Sequence, residues 1–283
     1  MLIDSGKTLS AILPREFCRR LLIASIQSLQ ESSNPLAFNN FCYSFREMVR
    51  HVLSDLAPDA VIKACPWYIP DKTSDTGLTR AHAITYIVQG GLSDDYVDRI
   101  LDIDVIVGRK KLLESIRKLN KFTHVEEKTF GVTSHFAEIS ADEAIQALIE
   151  VLNLAKECKS QLAEKLETHI SDEVVATAIR DTIQSIDEIA THHYIDSILI
   201  DEVRVVAVDS GYVYFNVSGT IEVDLQWGSD GDVERGDGSV GSDSYPFTCK
   251  LQSSVKSPED LEIDPSDLCV DTSSWWEDYS DPA

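Results

Sequence analysis

Tyr194–Trp227 reads YIDSILIDEVRVVAVDSGYVYFNVSGTIEVDLQW, and within it the spacing of apolar residues changes from helical to alternating. Ile198–Val208 is strand-like, Asp209-Ser210-Gly211 is a turn, and Tyr212–Val217 is a second strand. Ile221, Val223, Leu225 and Trp227 then alternate with Glu222, Asp224 and Gln226 in a third. The following GSDGDVERGDGSVGSDS (228–244) has the Gly, Asp and Ser content of a loop, and Phe247, Cys249 and Leu251 supply a fourth strand. The expectation is an antiparallel β-meander with one apolar and one polar face.

Upstream of this stretch the period is helical throughout. Cys18, Leu22, Ile26 and Leu29 share a face behind Pro14, and Phe38, Phe41, Phe45, Met48, Val49, Val52 and Leu53 continue a stripe behind Asn34-Pro35. VIKACPWYIPDKTSDTG (61–77) reads as an inserted loop, after which helices return at 79–91, behind Ser93, and over 109–120. Ser140 with Glu143 forms a capping box that predicts a long helix to about Thr168, and Ser171-Asp172-Glu173 predicts a second one ending at His192-His193, the two making an antiparallel pair. The fold class expected is α+β, an N-terminal helical bundle followed by a small antiparallel β-meander module. The domains read as 1–170 helical, 171–255 helix plus meander, and 256–283 an acidic tail in which Trp275 and Trp276 could dock.

Charge separates the same two regions. Met1–Phe130 holds 17 basic and 16 acidic residues, a net +1, whereas Gly131–Ala283 holds 8 and 32, a net −24. The second region repels a phosphate backbone, so any RNA or DNA contact is expected in the N-terminal half, at Arg15, Arg19 and Arg20 or at Arg109, Lys110, Lys111, Arg117, Lys118 and Lys121. A solvated helix face explains both clusters equally. No run of eighteen apolar residues and no leader-like start are seen, so the chain reads as cytoplasmic with no membrane partner. Six dispersed cysteines without a CxxC pair read as reduced structural thiols. No P-loop, GxGxxG, GxSxG or HExxH occurs, which sets aside the nucleotide, dinucleotide, serine-hydrolase and zincin classes those motifs mark.

Two constellations could carry phosphodiester chemistry. Arg46 and His51 bracket EMVR, and Arg117 and His124 bracket KLNKFT. A histidine can take a 2′-hydroxyl proton or help the leaving oxygen while an arginine stabilises the pentacovalent phosphate, all without metal. Within one helix Arg46 and His51 point roughly 140° apart at about 3.6 residues per turn, whereas a loop is expected between Arg117 and His124. The second constellation is Glu222 and Asp224, with Asp209 upstream: carboxylates on a strand that would bind Mg²⁺, the cofactor only if these are the site. The lysine that restriction-type nucleases carry after the second acid is absent, Gln226 standing there. Asp230, Asp232 and Glu234 imitate a calcium loop, but Arg235 and Gly241 occupy the positions of its glycine and bidentate glutamate.

Ile186–Leu251, through its core SGTIEVDLQWGSDGDVERGDG and closing SYPFTC, resembles the predicted pPIWI-associating nucleases, prokaryotic proteins assigned to conflict and defence loci. The resemblance implies a nuclease or accessory part of an antiviral system, with a protein partner in a defence complex. The N-terminal half, in FREMVRHVL and RKLNKFTHVEEKTF followed by a long helix, resembles HEPN ribonuclease-like domains. That resemblance implies a homodimer whose two Arg-His motifs share a cleft, with Arg117 and His124 carried over first and Arg46 and His51 second. A reading of a different class remains beside it: a non-catalytic interaction or sensor module whose acidic β-region binds a partner.

Overall fold

The central strand of the β-region is longer than the alternation alone suggests. In the computed structural model, which describes residues 2–31, 33–180 and 183–277, the expected second and third strands are one, β2 (Tyr212–Trp227), running straight through Ser218-Gly219-Thr220. It pairs antiparallel with β1 (His192–Val208) on one side and β3 (Ser239–Ser254) on the other. β4 (Ser257–Glu262) and β5 (Leu268–Val270) both pair with β3. The sheet order is β1-β2-β3-β4 with β5 also on β3, a meander with one added strand.

Alternation explains which face is buried. Val213, Phe215, Val217, Ile221, Val223 and Leu225 of β2, with Tyr245, Phe247, Cys249 and Leu251 of β3, are all buried, while the intervening residues form a polar face. Gly219 is what lets the strand pass unbroken: a Cβ there would stand 2.1 Å from the Leu199 carbonyl oxygen and 2.8 Å from the Phe247 ring. At the β1–β2 turn, Asp209 accepts from the backbone N–H groups of Gly211 (2.7 Å) and Tyr212 (2.8 Å) and from the Tyr214 hydroxyl (3.0 Å). Partial burial alone would raise this carboxyl, but those three donors outweigh it and hold its pKa below the ordinary range.

Several expectations are corrected here. The acidic stretch after Trp227 is not a loop: Ser229 and Asp232 close a capping box that starts α10 (Asp230–Arg235), Gly236 ends it at φ +80°, and β3 begins three residues later. Residues 257–270, read as part of the acidic tail, supply β4 and β5. Trp275, in α11 (Ser273–Glu277), stacks on Trp227 at 5.4 Å while the Trp227 indole N–H donates to the Ile189 carbonyl (2.7 Å). The expected antiparallel helix pair is a single helix, α8 (Ser134–Arg180). Its buried Cys158, Leu162, Leu166, Ile170, Val174 and Ala178 keep one four-residue phase across Ser171-Asp172-Glu173, and no Gly or Pro interrupts it. Ser140 lies inside this helix, buried, and Thr133 serves the first turn by accepting from Phe136 N–H. The helix before the sheet is the short α9 (Gln184–Asp187), and His192-His193 open β1 instead of closing a helix; His193 Nδ1 lies 3.0 Å from Asp187.

The remaining helices are α1 (Leu2–Ile12), α2 (Glu16–Gln30), α3 (Ala37–Leu56), α4 (Asp59–Ala64), α5 (Arg80–Gln89), α6 (Asp94–Arg99) and α7 (Val105–Asn120). α1 was not anticipated, because two of the residues it buries, Ser5 and Gly6, interrupt the apolar pattern. α3 supplies the core, with Phe38, Phe41 and Phe45 stacked along one face. Contacts divide the chain into two compact units at Cys158/Lys159, so that α8 begins in one and ends in the other. Among the described residues no helix is long and apolar enough to cross a membrane.

Two consequences are measurable. Gly219→Ala should destabilise the protein by about 2–3 kcal/mol, because a backbone carbonyl cannot give way as a side chain can; a urea melt checks this. Asp209→Ala should cost about 1 kcal/mol near neutral pH, allowing for water around the turn. Since the folded carboxyl titrates below its unfolded value, that contribution is present above about pH 4 and disappears as the pH falls through the lowered value. The gap between wild type and variant should therefore close in acid melts.

Candidate functional site

α7 starts where the Asp104 carboxylate accepts from Val107 N–H (3.0 Å), and it buries Val105, Gly108, Leu112, Ile116 and Leu119 at steps of three and four. Its five cations, and Lys121 at its C-cap, are sorted by angle around that stripe. Arg109 turns inward and donates to Thr85 Oγ1 (2.8 Å). Lys111 and Lys118 face α8 and pair with Glu150 (3.1 Å) and Glu143 (2.7 Å), Lys118 also lying 5.5 Å from the Phe136 ring centroid. Lys110, Arg117 and Lys121, at i, i+7 and i+11, fall within about 40° of one another at about 100° per residue. All three are exposed, and among the described residues none has a hydrogen bond or ion pair from its side chain; Glu114 lies on the same face.

The segment after α7, 121–133, is tied down at its ends and open in its middle. Asn39 of α3 donates its amide to the Phe122 carbonyl (2.8 Å), and the Phe122 ring lies 4.9 Å from Phe38 and 5.7 Å from Phe136. Thr129, only 4% exposed, accepts from Glu126 N–H (2.8 Å), and its hydroxyl lies 3.0 Å from the His124 carbonyl. Gly131, at φ +64°, donates its N–H to the Pro35 carbonyl (3.2 Å). Between these anchors His124, Val125, Glu126, Glu127 and Lys128 are all exposed. Lys128 pairs with Glu126 at 2.7 Å; its hydrogen bond and charge, with a smaller contribution from His124, hold the Glu126 carboxyl below its usual range. The imidazole of His124 makes no hydrogen bond among the described residues, and Arg117 sits in the last turn of the preceding helix.

Arg46 and His51 lie on the unbroken α3 and are engaged separately. Arg46 is half-buried, pairs with Glu47 (3.4 Å), and keeps a buried Nε without a partner. His51 meets the Phe17 ring edge-on at 5.1 Å and approaches Arg50 Nη2 at 3.1 Å.

Glu222 and Asp224 share the polar face of β2. Glu222 accepts from Ser197 Oγ of β1 (2.7 Å) and Asp224 from Ser242 Oγ of β3 (2.6 Å). The registers set Ser197 and Ser244 opposite Glu222, and Tyr194 and Ser242 opposite Asp224, so no acid or lysine is paired with either, while exposed Asp196 falls in the β1 bulge between Ile195 and Ser197. Among the described residues no group of three or more His, Cys, Asp or Glu is placed to hold a metal ion. Cys18, Cys42, Cys65, Cys158 and Cys249 are buried and Cys269 is exposed, and burial pushes the Cys249 thiol up to about 12.

Two models of one family, described as predicted pPIWI-associating nuclease, match residues 10–148 and 155–276. The chain belongs to this family. The match extends the likeness of the C-terminal half to the helical half as well, so the family description alone does not choose between the α7 region and the sheet. Comparison with curated proteins and with solved structures finds no significant match. Asn39 and Thr129 were not singled out from the sequence; the one available signal was a polar Asn inside the apolar stripe of α3.

Because Lys110, Arg117 and Lys121 hold nothing in place, replacing any one with Ala should change stability by no more than about 0.5 kcal/mol. Asn39→Ala, which orphans the Phe122 carbonyl, should cost about 1–3 kcal/mol in the same melts.

Proposed function

We propose that this member of the predicted pPIWI-associating nucleases is a nuclease-like component of a prokaryotic antiviral system, and that it works on RNA at the open face of α7 and the turn that follows. The observation that carries the reading is the exposed stripe Lys110, Arg117 and Lys121, unpaired among the described residues and followed three residues later in the sequence by an exposed His124 on an anchored segment. The stripe supplies phosphate contacts, which position a nucleic acid without reading its sequence. Neutral His124 accepts the proton of a 2′-hydroxyl; that oxygen attacks the adjacent phosphorus; the bond to the 5′-oxygen breaks, and the leaving oxygen takes a proton from water. A cyclic phosphate and a free 5′-hydroxyl result. Arg117 stabilises the charge that gathers on the phosphoryl oxygens. A homodimer, as in the HEPN-like domains the helical half resembles, would bring a second Arg117 and His124 to one cleft.

A second reading rests on the sheet. Its polar face presents carboxylates already capped by serines, in a region of net −24, which suits docking of a protein partner and disfavours a phosphate chain. In that reading the chain is a non-catalytic part of the same system.

Cleavage of single-stranded RNA and DNA by the purified protein, with EDTA or with Mg²⁺, separates the two. RNA cleavage that persists in EDTA and falls by about 10²-fold or more in His124→Ala is expected. Mg²⁺-dependent cleavage lost in Glu222→Ala/Asp224→Ala would move the chemistry to the sheet, and no cleavage of either substrate would favour the partner-binding reading. Removing Lys110, Arg117 and Lys121 together should lower the slope of log K against log salt for single-stranded RNA by about 2.

A further inference from the structure

An exposed histidine on a connecting segment ordinarily samples many orientations, and a group that must meet one oxygen of a substrate gains from being held. Here the backbone around His124 is held by two buried polar side chains. Asn39, 5% exposed on α3, fixes the carbonyl two residues before it. Thr129, five residues after it, is bound to the turn from inside. Its N–H donates to the Glu126 carbonyl (2.9 Å), and its oxygen accepts from Glu126 N–H (2.8 Å). Its single hydroxyl hydrogen faces the His124 carbonyl at 3.0 Å and the Glu126 carbonyl at 3.1 Å. One buried hydroxyl therefore ties residues 124 and 126 together from beneath, while the side chains of 124–128 remain in water.

We infer that Thr129 is a positioning residue for His124, its hydroxyl fixing the backbone from which the imidazole projects, with Asn39 as the upstream anchor. This rests on the reading of His124 as the proton-transfer group. The hydroxyl is the essential part, because valine has the same shape and cannot make either bond, whereas serine can make both.

The test compares Thr129→Val, Thr129→Ser, His124→Ala and the double variant His124→Ala/Thr129→Val in the full chain, by RNA cleavage and by NMR of the His124 imidazole and of the 122–126 amides. The expected result is a fall in kcat of ten-fold or more in Thr129→Val with KM within two-fold, recovery to within three-fold of wild type in Thr129→Ser, and a double variant no slower than His124→Ala alone. An unchanged kcat in Thr129→Val, or an equal further loss when His124 is already gone, overturns the inference, since either shows that the hydroxyl does not act through the histidine. If His124→Ala leaves cleavage intact, or nothing is cleaved, the functional reading fails on its own and the spectra decide the positioning. A split or broadened imidazole signal and at least ten-fold faster exchange of the Glu126 amide in Thr129→Val support it, and unchanged spectra overturn it. Should Thr129→Val not fold, the wild type suffices: the Glu126 amide must exchange at least ten-fold more slowly than the exposed Glu127 amide, and equal rates overturn the inference.

Discussion

The approach of the Leu199 carbonyl to Gly219 governs the whole β-region. A strand of sixteen residues paired on both sides must keep its backbone within hydrogen-bonding distance of two neighbours along its full length. At residue 219 that leaves no room for a Cβ on the side of β1 and the Phe247 ring. β1 meets the same demand by bulging: its register slips between Ile195 and Ser197 and between Ile200 and Glu202, on either side of Leu199. With β2 held in this way, every later residue of the strand has its face decided, and Glu222 and Asp224 must stand on the polar side, each beside a strand that offers it a serine hydroxyl.

The helical unit treats its charges by a similar geometric rule. α7 does not distinguish its lysines and arginines by type; it distinguishes them by angle from the buried stripe. Those at 109, 111 and 118 fall where Thr85, Glu150 and Glu143 wait, and those at 110, 117 and 121 fall toward water. The two ion pairs, Lys111–Glu150 and Lys118–Glu143, are about half exposed and worth about 0.2–1 kcal/mol each, so they orient more than they stabilise. The outward three are available at no structural cost. In a chain of net charge −23 this stripe could seem overwhelmed, but at physiological salt charges beyond about 8 Å are largely screened, so a bound phosphate senses mainly its immediate neighbours.

Periodicity made the fold class legible, because a period of 3.6 up to the sheet and of 2 within it is a local property of the chain. What stayed hidden depended on partners. Ser218-Gly219-Thr220 reads as a break until Leu199 and Phe247 are seen to require a residue without a side chain. Ser171-Asp172-Glu173 reads as a helix start, yet the in-phase Ile170 and Val174 on either side carry α8 through it. The acidic 228–244 stretch reads as a loop because its capping box and its pairing with β2 are contributed by glycines, serines and aspartates, residues with little strand or helix preference of their own. Candidate site residues were legible as chemistry and not as surroundings. Arg117 and His124 could be chosen for what they can do, whereas the role of Thr129 appears only once its oxygen is seen between two backbone groups of a turn.

Family membership names a nuclease without naming the unit that would act, so the decision falls to what each candidate has at hand to meet a phosphodiester. At the sheet, Glu222 and Asp224 each accept a serine hydroxyl through one oxygen, so a metal ion could take the other oxygen without breaking either bond; what it lacks there is further ligands. It would then have to find four or so further oxygens, and among the described residues no group of three or more His, Cys, Asp or Glu is placed to hold a metal ion. At α7 and the turn after it, Arg117 and His124 have no side-chain hydrogen bond among the described residues to surrender. Their exposure also means that little of the site's energy is prepaid, because a flat, watered arginine and histidine lack the low-dielectric walls that strengthen catalytic electrostatics. A second surface laid over the stripe, whether the substrate's own bases or another copy of the chain, would supply that exclusion of water, and it would do so only once the substrate is in place.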